Sequence, residues 1–188
     1  LRVGSVSDPF GLPLESQYGD TYRVLEMLIS YEYPFVACTK SPFVATSRYI
    51  NLLKSADEKV AVQISLISLE DNLLRHLESR PSGTTPSAKS RLDALQKLSN
   101  EGIFTICRIQ PLIPQVTEYG MKDLIFELAK AGVKHVILEF LWLPMGHAKD
   151  MGLRLKLALD AYCDSGGRIG DELREYNNDL NAYYRSFR

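Results

Sequence analysis

Short apolar runs alternate along this chain with longer stretches in which apolar residues recur every three or four positions. Near-continuous apolar runs bounded by turn residues predict strands covered on both faces. They fall at Leu1–Pro9, Phe35–Thr39, Lys59–Ile67, Ile103–Ile109 and Lys134–Leu143. The first reads LRVGSVSDP, a strand that breaks into the polar turn Ser7-Asp8-Pro9. Strand followed by polar turn recurs at Thr39-Lys40-Ser41-Pro42, Ser65-Leu66-Ile67-Ser68, Arg108-Ile109-Gln110-Pro111 and Phe140 to Pro144.

The helical spacing lies between those runs. Asp20 or Thr21 opens a helix that carries Val24, Leu25, Leu28 and Ile29 on one face and ends near Tyr31, and Pro42 starts a short helix reaching about Lys54. Leu69–Leu77 predicts another, Ser87–Ser99 one with Leu92, Leu95 and Leu98 inward, and Met121–Ala131 one with Leu124, Ile125, Leu128 and Ala129 packed. Gly102 and Gly132 follow the last two as helix-ending residues. Prolines, glycines and hydroxyl residues make Phe10–Gly19 and Glu78–Ser87 loops.

Near the end, Leu153, Leu155, Leu157 and Leu159 alternate as in a strand, but the Ala, Lys and Leu content favours helix, the reading taken here. Gly166-Gly167 breaks it, and Asp171 to about Tyr184 predicts a terminal amphipathic helix. Five strands alternating with helices mean parallel βα units, hence an α/β fold: an open doubly wound sheet or part of a (β/α) barrel, which the pattern alone does not separate. Residues 1–146 form the barrel-like unit and residues 147–188 a helical extension of the same domain.

Composition narrows the function classes. The length of 188 residues suits one domain, and the net charge of −1, with basic residues scattered, argues against a dedicated nucleic-acid surface and leaves only a local patch open. No apolar stretch approaches the roughly 20 residues that span a bilayer, and no signal-peptide pattern opens the chain, so a cytoplasmic location without membrane contact is expected. Cys38, Cys107 and Cys163 lie too far apart for a disulfide framework or a metal knuckle and read as reduced, packed thiols. His76, His135 and His147 have no metal-ligand spacing, and no Ser-His-Asp order, P-loop or GxGxxG is present.

Candidate chemistry comes from strand alternation. Counting back by twos from the strand ends turns Val3, Ser5 and Ser7; Val36, Cys38 and Lys40; Ala61, Gln63 and Ser65; Ile106, Arg108 and Gln110; and Ile137, Glu139 and Leu141 to one face. Ser7, Lys40, Ser65, Arg108 and Glu139 would then gather at one mouth. Lys40 and Arg108 suit a carboxylate or phosphate, the serines donate beside them, and Glu139 suits an amine or a ribose hydroxyl. Asp8 either orients a ligand or accepts from a loop amide in an Asx turn. The alternative is structural, with Lys40 and Glu139 pairing and Arg108 reaching solvent. Glu78 and Arg80 in the long loop read as a local salt bridge.

The order GSVSDPF, ACTKSP, VQISLIS, GIFTICRIQPLIP resembles the radical S-adenosylmethionine (radical SAM) enzymes, specifically their spore photoproduct lyase-like branch. The match runs from residue 1 to about residue 144. The resemblance implies a partial TIM-like barrel lacking its first strand, with Ser7, Lys40, Ser65 and Arg108 contacting the aminoacyl or ribose part of SAM. It also implies a 4Fe-4S cluster held by a CxxxCxxC loop; no such triad stands in this sequence, so its ligands are expected upstream of Leu1 and the chain is expected to be a fragment. The implied activity is reductive cleavage of SAM to a 5'-deoxyadenosyl radical that abstracts hydrogen from a substrate. The lyase-like relatives act on a DNA lesion, so a DNA substrate is implied by resemblance alone. Two alternatives stay open: a non-catalytic nucleotide-binding or interaction module on a degenerate barrel, and an aldolase-like barrel in which Lys40 forms a Schiff base.

Overall fold

The computed structural model describes residues 1–78, 85–141, 148–171 and 173. Its strands are β1 (Arg2–Val3), β2 (Phe35–Thr39), β3 (Val60–Ser65), β4 (Phe104–Leu112) and β5 (His135–Phe140). The helices among the described residues are α1 (Leu14–Tyr18), α2 (Asp20–Ser30), α3 (Ser47–Lys54), α4 (Asp71–Glu78), α5 (Ala88–Asn100), α6 (Met121–Lys130) and α7 (Ala148–Asp164).

All strands pair in parallel, in the sequential order β1-β2-β3-β4-β5. That order separates the two architectures left open by the sequence. With right-handed crossovers, a sheet that never reverses its strand order carries its connecting helices on one face. The other face stays free as an interior, so this is an open, partial β/α barrel rather than a doubly wound sheet.

The helix-facing side carries the main core. Ala37, Val62, Ile64, Cys107 and Ile109 are fully buried there against Leu25 of α2, Tyr49 and Leu53 of α3, Leu95 and Leu98 of α5, and Leu124 and Leu128 of α6. Local signals set the helix starts. Ser87 caps α5 by accepting from the Ser90 amide, and Ser41 accepts from Phe43 before a short 3-10 turn that begins at Pro42. A second apolar cluster seats α7: Leu159 and Tyr162 pack with Leu73 of α4, with Ile113 and Val116 beyond β4, and with Ile169 and Leu173.

The structure departs from the sequence expectations at several points. The opening strand is only two residues long. Gly4 takes φ +92° where a Cβ would meet the Cys38 carbonyl oxygen at 2.3 Å, so the chain turns across the end of β2 instead of continuing. The phase there also slips by one residue. Arg2 pairs in register with Val36 and lies on the concave face, whereas Val3 packs on the helix side.

β4 passes through Pro111 to Leu112 instead of ending there, because the ladder to β5 shifts register between Ile109 and Leu112 and needs no donor from the proline. Val24, Ile125 and Ala129, expected inside their helices, are exposed. Leucines 153 to 159 belong to a helix, as read. Arg80, Pro81, Trp142 to His147 and nearly all of the expected terminal helix lie outside the described residues.

Candidate site at the strand ends

The register fixes which side chains share the concave face. Cys38 pairs with Gln63, Gln63 with Ile106 and Ile106 with His135; two residues on, Ser65 pairs with Arg108 and Arg108 with Ile137. The floor of this face is tied by Arg2, whose Nη2 donates to Gln63 Oε1 at 3.0 Å and lies 3.6 Å from Cys38 Sγ.

The expected residues occupy distinct positions above that floor. Ser7 is exposed on the turn after β1. Asp8 sits against the end of β2: its Oδ1 accepts from the Thr39 hydroxyl at 2.6 Å and the Phe10 amide at 3.0 Å, and its Oδ2 accepts from the Lys40 amide at 2.8 Å. Thr39 Oγ1 in turn accepts from the Ser41 amide at 2.8 Å. Asp8 therefore fastens the turn to the strand end and fixes the backbone from which Lys40 projects. The Lys40 ammonium lies 3.2 Å from Glu78 Oε1.

The half-buried Ser65 stands beside Arg108 in the register, and its hydroxyl has no hydrogen-bond partner among the described residues. Arg108 Nη2 donates to both carboxylate oxygens of Glu139, at 2.9 and 3.1 Å. Its Nε is buried without a partner among the described residues. Ser65, Arg108 and Glu139 are thus brought together, with Lys40 one position beyond the Thr39–Ile64 pair on the neighbouring strand.

Two residues of the site were not anticipated. Glu78 closes α4, and Arg91 of α5 is fully buried beneath the mouth. Arg91 donates to Glu78 Oε2 at 2.6 Å, to the Ser65 carbonyl at 2.8 Å and to the Pro86 carbonyl at 3.1 Å. A signal for it existed: Ala88, Arg91, Leu95 and Leu98 fall at helical spacing on the buried stripe of α5, and a charge on such a stripe needs a partner. The local sequence offers Glu78 the nearby Arg80, two residues on, and nothing in it points to Arg91 thirteen residues away.

The donor chemistry of the mouth fits SAM. A guanidinium whose Nε has no partner among the described residues, a serine hydroxyl beside it, an ammonium and a carboxylate match an amino acid attached to a ribose. The thiols do not fit the cluster. Cys38 lies on the concave face, Cys107 in the core on the opposite face and Cys163 on α7, and among the described residues no three His, Cys, Asp or Glu side chains converge. Burial pushes the Cys107 thiol up to about 12.

A cavity of about 780 Å³ opens between the start of α4, the loop after β4 and the segment after α7. Glu70, Tyr119, Asp123 and Arg168 reach it, and none of Lys40, Ser65, Arg108 or Glu139 does. Tyr162 at its edge donates to Glu70 Oε2 at 2.7 Å, and burial followed by that bond pushes its hydroxyl up to about 12. The strand-end cluster has the better claim to chemistry, because its polar groups converge and one of them has no partner among the described residues.

No family model matches the chain. It is 29% identical over 146 residues, 74% of this chain and 29% of the relative, to a protein of Pseudomonas phage M6 named as a radical SAM Nalpha-GlyT isomerase. That match supports a distant radical SAM relation. A second relative, the uncharacterized protein ORF301 of Acidianus two-tailed virus, is 28% identical over 146 residues, 75% of this chain and 46% of that protein. The chain spans less than half the length of either curated relative. Among the described residues no helix is long and apolar enough to cross a membrane.

Proposed function

We propose that this chain belongs to a radical SAM enzyme of the spore photoproduct lyase-like branch, and that the concave mouth binds SAM. The observation that carries the reading is the Ser65, Arg108, Glu139 group, polar and convergent on the open face of a partial barrel, with Arg108 Nε left without a partner among the described residues. The order of the strand-end motifs supports the branch, and the phage relative supports the broader relation.

In this reading Lys40 and Arg108 take the SAM carboxylate, Ser65 donates to the aminoacyl or ribose part, and Glu139 accepts from the ammonium or a ribose hydroxyl. Ser7 and Asp8 form the rim, Asp8 by holding the Lys40 backbone. SAM held there would be the source of the radical once an electron is delivered to it from the cluster; the residues of this chain would bind it, orient it and exclude water. The 4Fe-4S cluster would be held by thiolates other than Cys38, Cys107 and Cys163. A DNA substrate rests on the resemblance alone, because the net charge of −1 and the scattered basic residues give it no independent support.

Calorimetry of SAM binding to the intact protein tests the reading. Losing one charge-assisted contact should weaken binding about tenfold or more in Arg108→Ala, with a smaller loss in Ser65→Ala. Unchanged affinity in both variants would remove the mouth from SAM binding.

A further inference from the structure

Beneath the mouth, Glu78 and Arg91 form a charge pair whose side chains are 4% and 0% exposed. Arg91 is held at each nitrogen: Nε by the Pro86 carbonyl, Nη1 by the Ser65 carbonyl and Nη2 by Glu78 Oε2. A guanidinium bound in this way cannot turn, so it gives Glu78 Oε2 a fixed anchor. The second oxygen, Oε1, faces the Lys40 ammonium at 3.2 Å.

Two features make this more than a packed ion pair. Arg91 alone neutralises Glu78, so the attraction to Lys40 leaves the three groups with an excess positive charge, and the Lys40 side chain, 43% exposed, is the part that meets solvent. Among the described residues Glu78 Oε1 has no hydrogen-bond partner, and it lies 3.2 Å from the ammonium. An ammonium carries three N–H groups, so the attraction to Glu78 Oε1 restrains it while leaving donors for a ligand. At the other end, Asp8 holds the Lys40 amide.

We propose that Glu78 and Arg91 are positioning residues that hold the Lys40 ammonium at the mouth with its donors open to a carboxylate of the ligand. The inference rests on the SAM reading for the identity of that ligand and on the distances above for the tether itself. Arg91 also ties the tether to the Ser65 carbonyl, so the ammonium and the serine hydroxyl are placed by one buried group.

The test compares SAM with 5'-methylthioadenosine, which keeps the nucleoside and lacks the amino acid, on the intact protein. Glu78→Gln should weaken SAM about tenfold, as loss of one charge-assisted contact does, and leave methylthioadenosine within about twofold. In a Lys40→Met background Glu78→Gln should cause no further loss, because it acts through Lys40. Equal weakening of both ligands, or a loss that persists without Lys40, would overturn the proposal. If Glu78→Gln does not fold with Arg91 left unpaired, the double variant Glu78→Gln/Arg91→Met removes both charges, and the same two outcomes apply. Wild-type protein that binds no SAM would sink the functional reading and leave the tether to a separate measurement. Lysines dimethylated with carbon-13 give one NMR signal each, and that of Lys40, assigned through Lys40→Arg, should move in Glu78→Gln; a signal that stays in place refutes the tether.

Discussion

Arg108 and Glu139 face each other across the β4–β5 pair in a two-pronged ion pair, one guanidinium nitrogen 2.9 and 3.1 Å from the two carboxylate oxygens. The side chains are 24% and 41% exposed, so solvent screens the pair and its contribution to stability is small. Glu139→Gln should therefore change the unfolding free energy by no more than about 1 kcal/mol in urea titration. If Glu139 meets the SAM ammonium, the same variant weakens SAM binding about tenfold. A large stability loss with unchanged binding would make the pair structural.

Gly4 is where the first strand ends and the turn toward Asp8 begins. Its φ is +92°, and a Cβ at this position would stand 2.3 Å from the Cys38 carbonyl oxygen, which leaves no room for a side chain. Gly4→Ala should cost at least about 2 kcal/mol, combining backbone strain with displacement of β2. Denaturant midpoints measure it, and a neutral substitution would mean that the turn is free to move.

The acid limb of stability should depend on Glu15. Burial by itself would raise its pKa, but the Tyr49 hydroxyl and the Thr21 and Tyr22 amides donate to the carboxylate and together hold it below the usual value. The same pairing, after burial, pushes the Tyr49 hydroxyl up. A depressed carboxyl pKa contributes stability that is present above the unfolded value of about 4.3 and is lost as pH falls through the lower folded value. Glu15→Gln should lower stability at neutral pH and flatten its decline below about pH 4. An acid limb identical to wild type would exclude Glu15 as its source.

The thiols should react in a set order. Cys38 and Cys107 are buried, and Cys107 is pushed up to about 12 by that burial, whereas Cys163 is only partly covered on α7. Native protein treated with a thiol-disulfide reagent near neutral pH should label Cys163 first, and Cys107 only on unfolding. Early labelling of Cys107, located by peptide mapping, would show that the sheet and helix layer open readily.

The sequence by itself determined the repeating unit. Apolar runs at β2, β3, β4 and β5 and the three-to-four spacing of α2 and α5 state parallel βα units because burial patterns are local properties of neighbouring residues. The same alternation also placed Lys40, Ser65, Arg108 and Glu139 on one face, since a strand's two faces follow from residue parity once its end is known. Parity failed at β1, where a glycine with positive φ breaks the strand after two residues and Arg2 rather than Val3 turns inward.

Only the tertiary structure decided what holds those residues. Sequential strand order chose the barrel over the doubly wound sheet. Asp8 meets Lys40 across 32 residues, and Glu78 meets Arg91 across 13 and Lys40 from a different βα unit. Such contacts depend on which strand lies beside which and at what register, and local pattern carries no record of either. The buried guanidinium of Arg91 makes the point most directly: its place on an apolar stripe announces that a partner exists, and only folding names Glu78 and the Ser65 carbonyl.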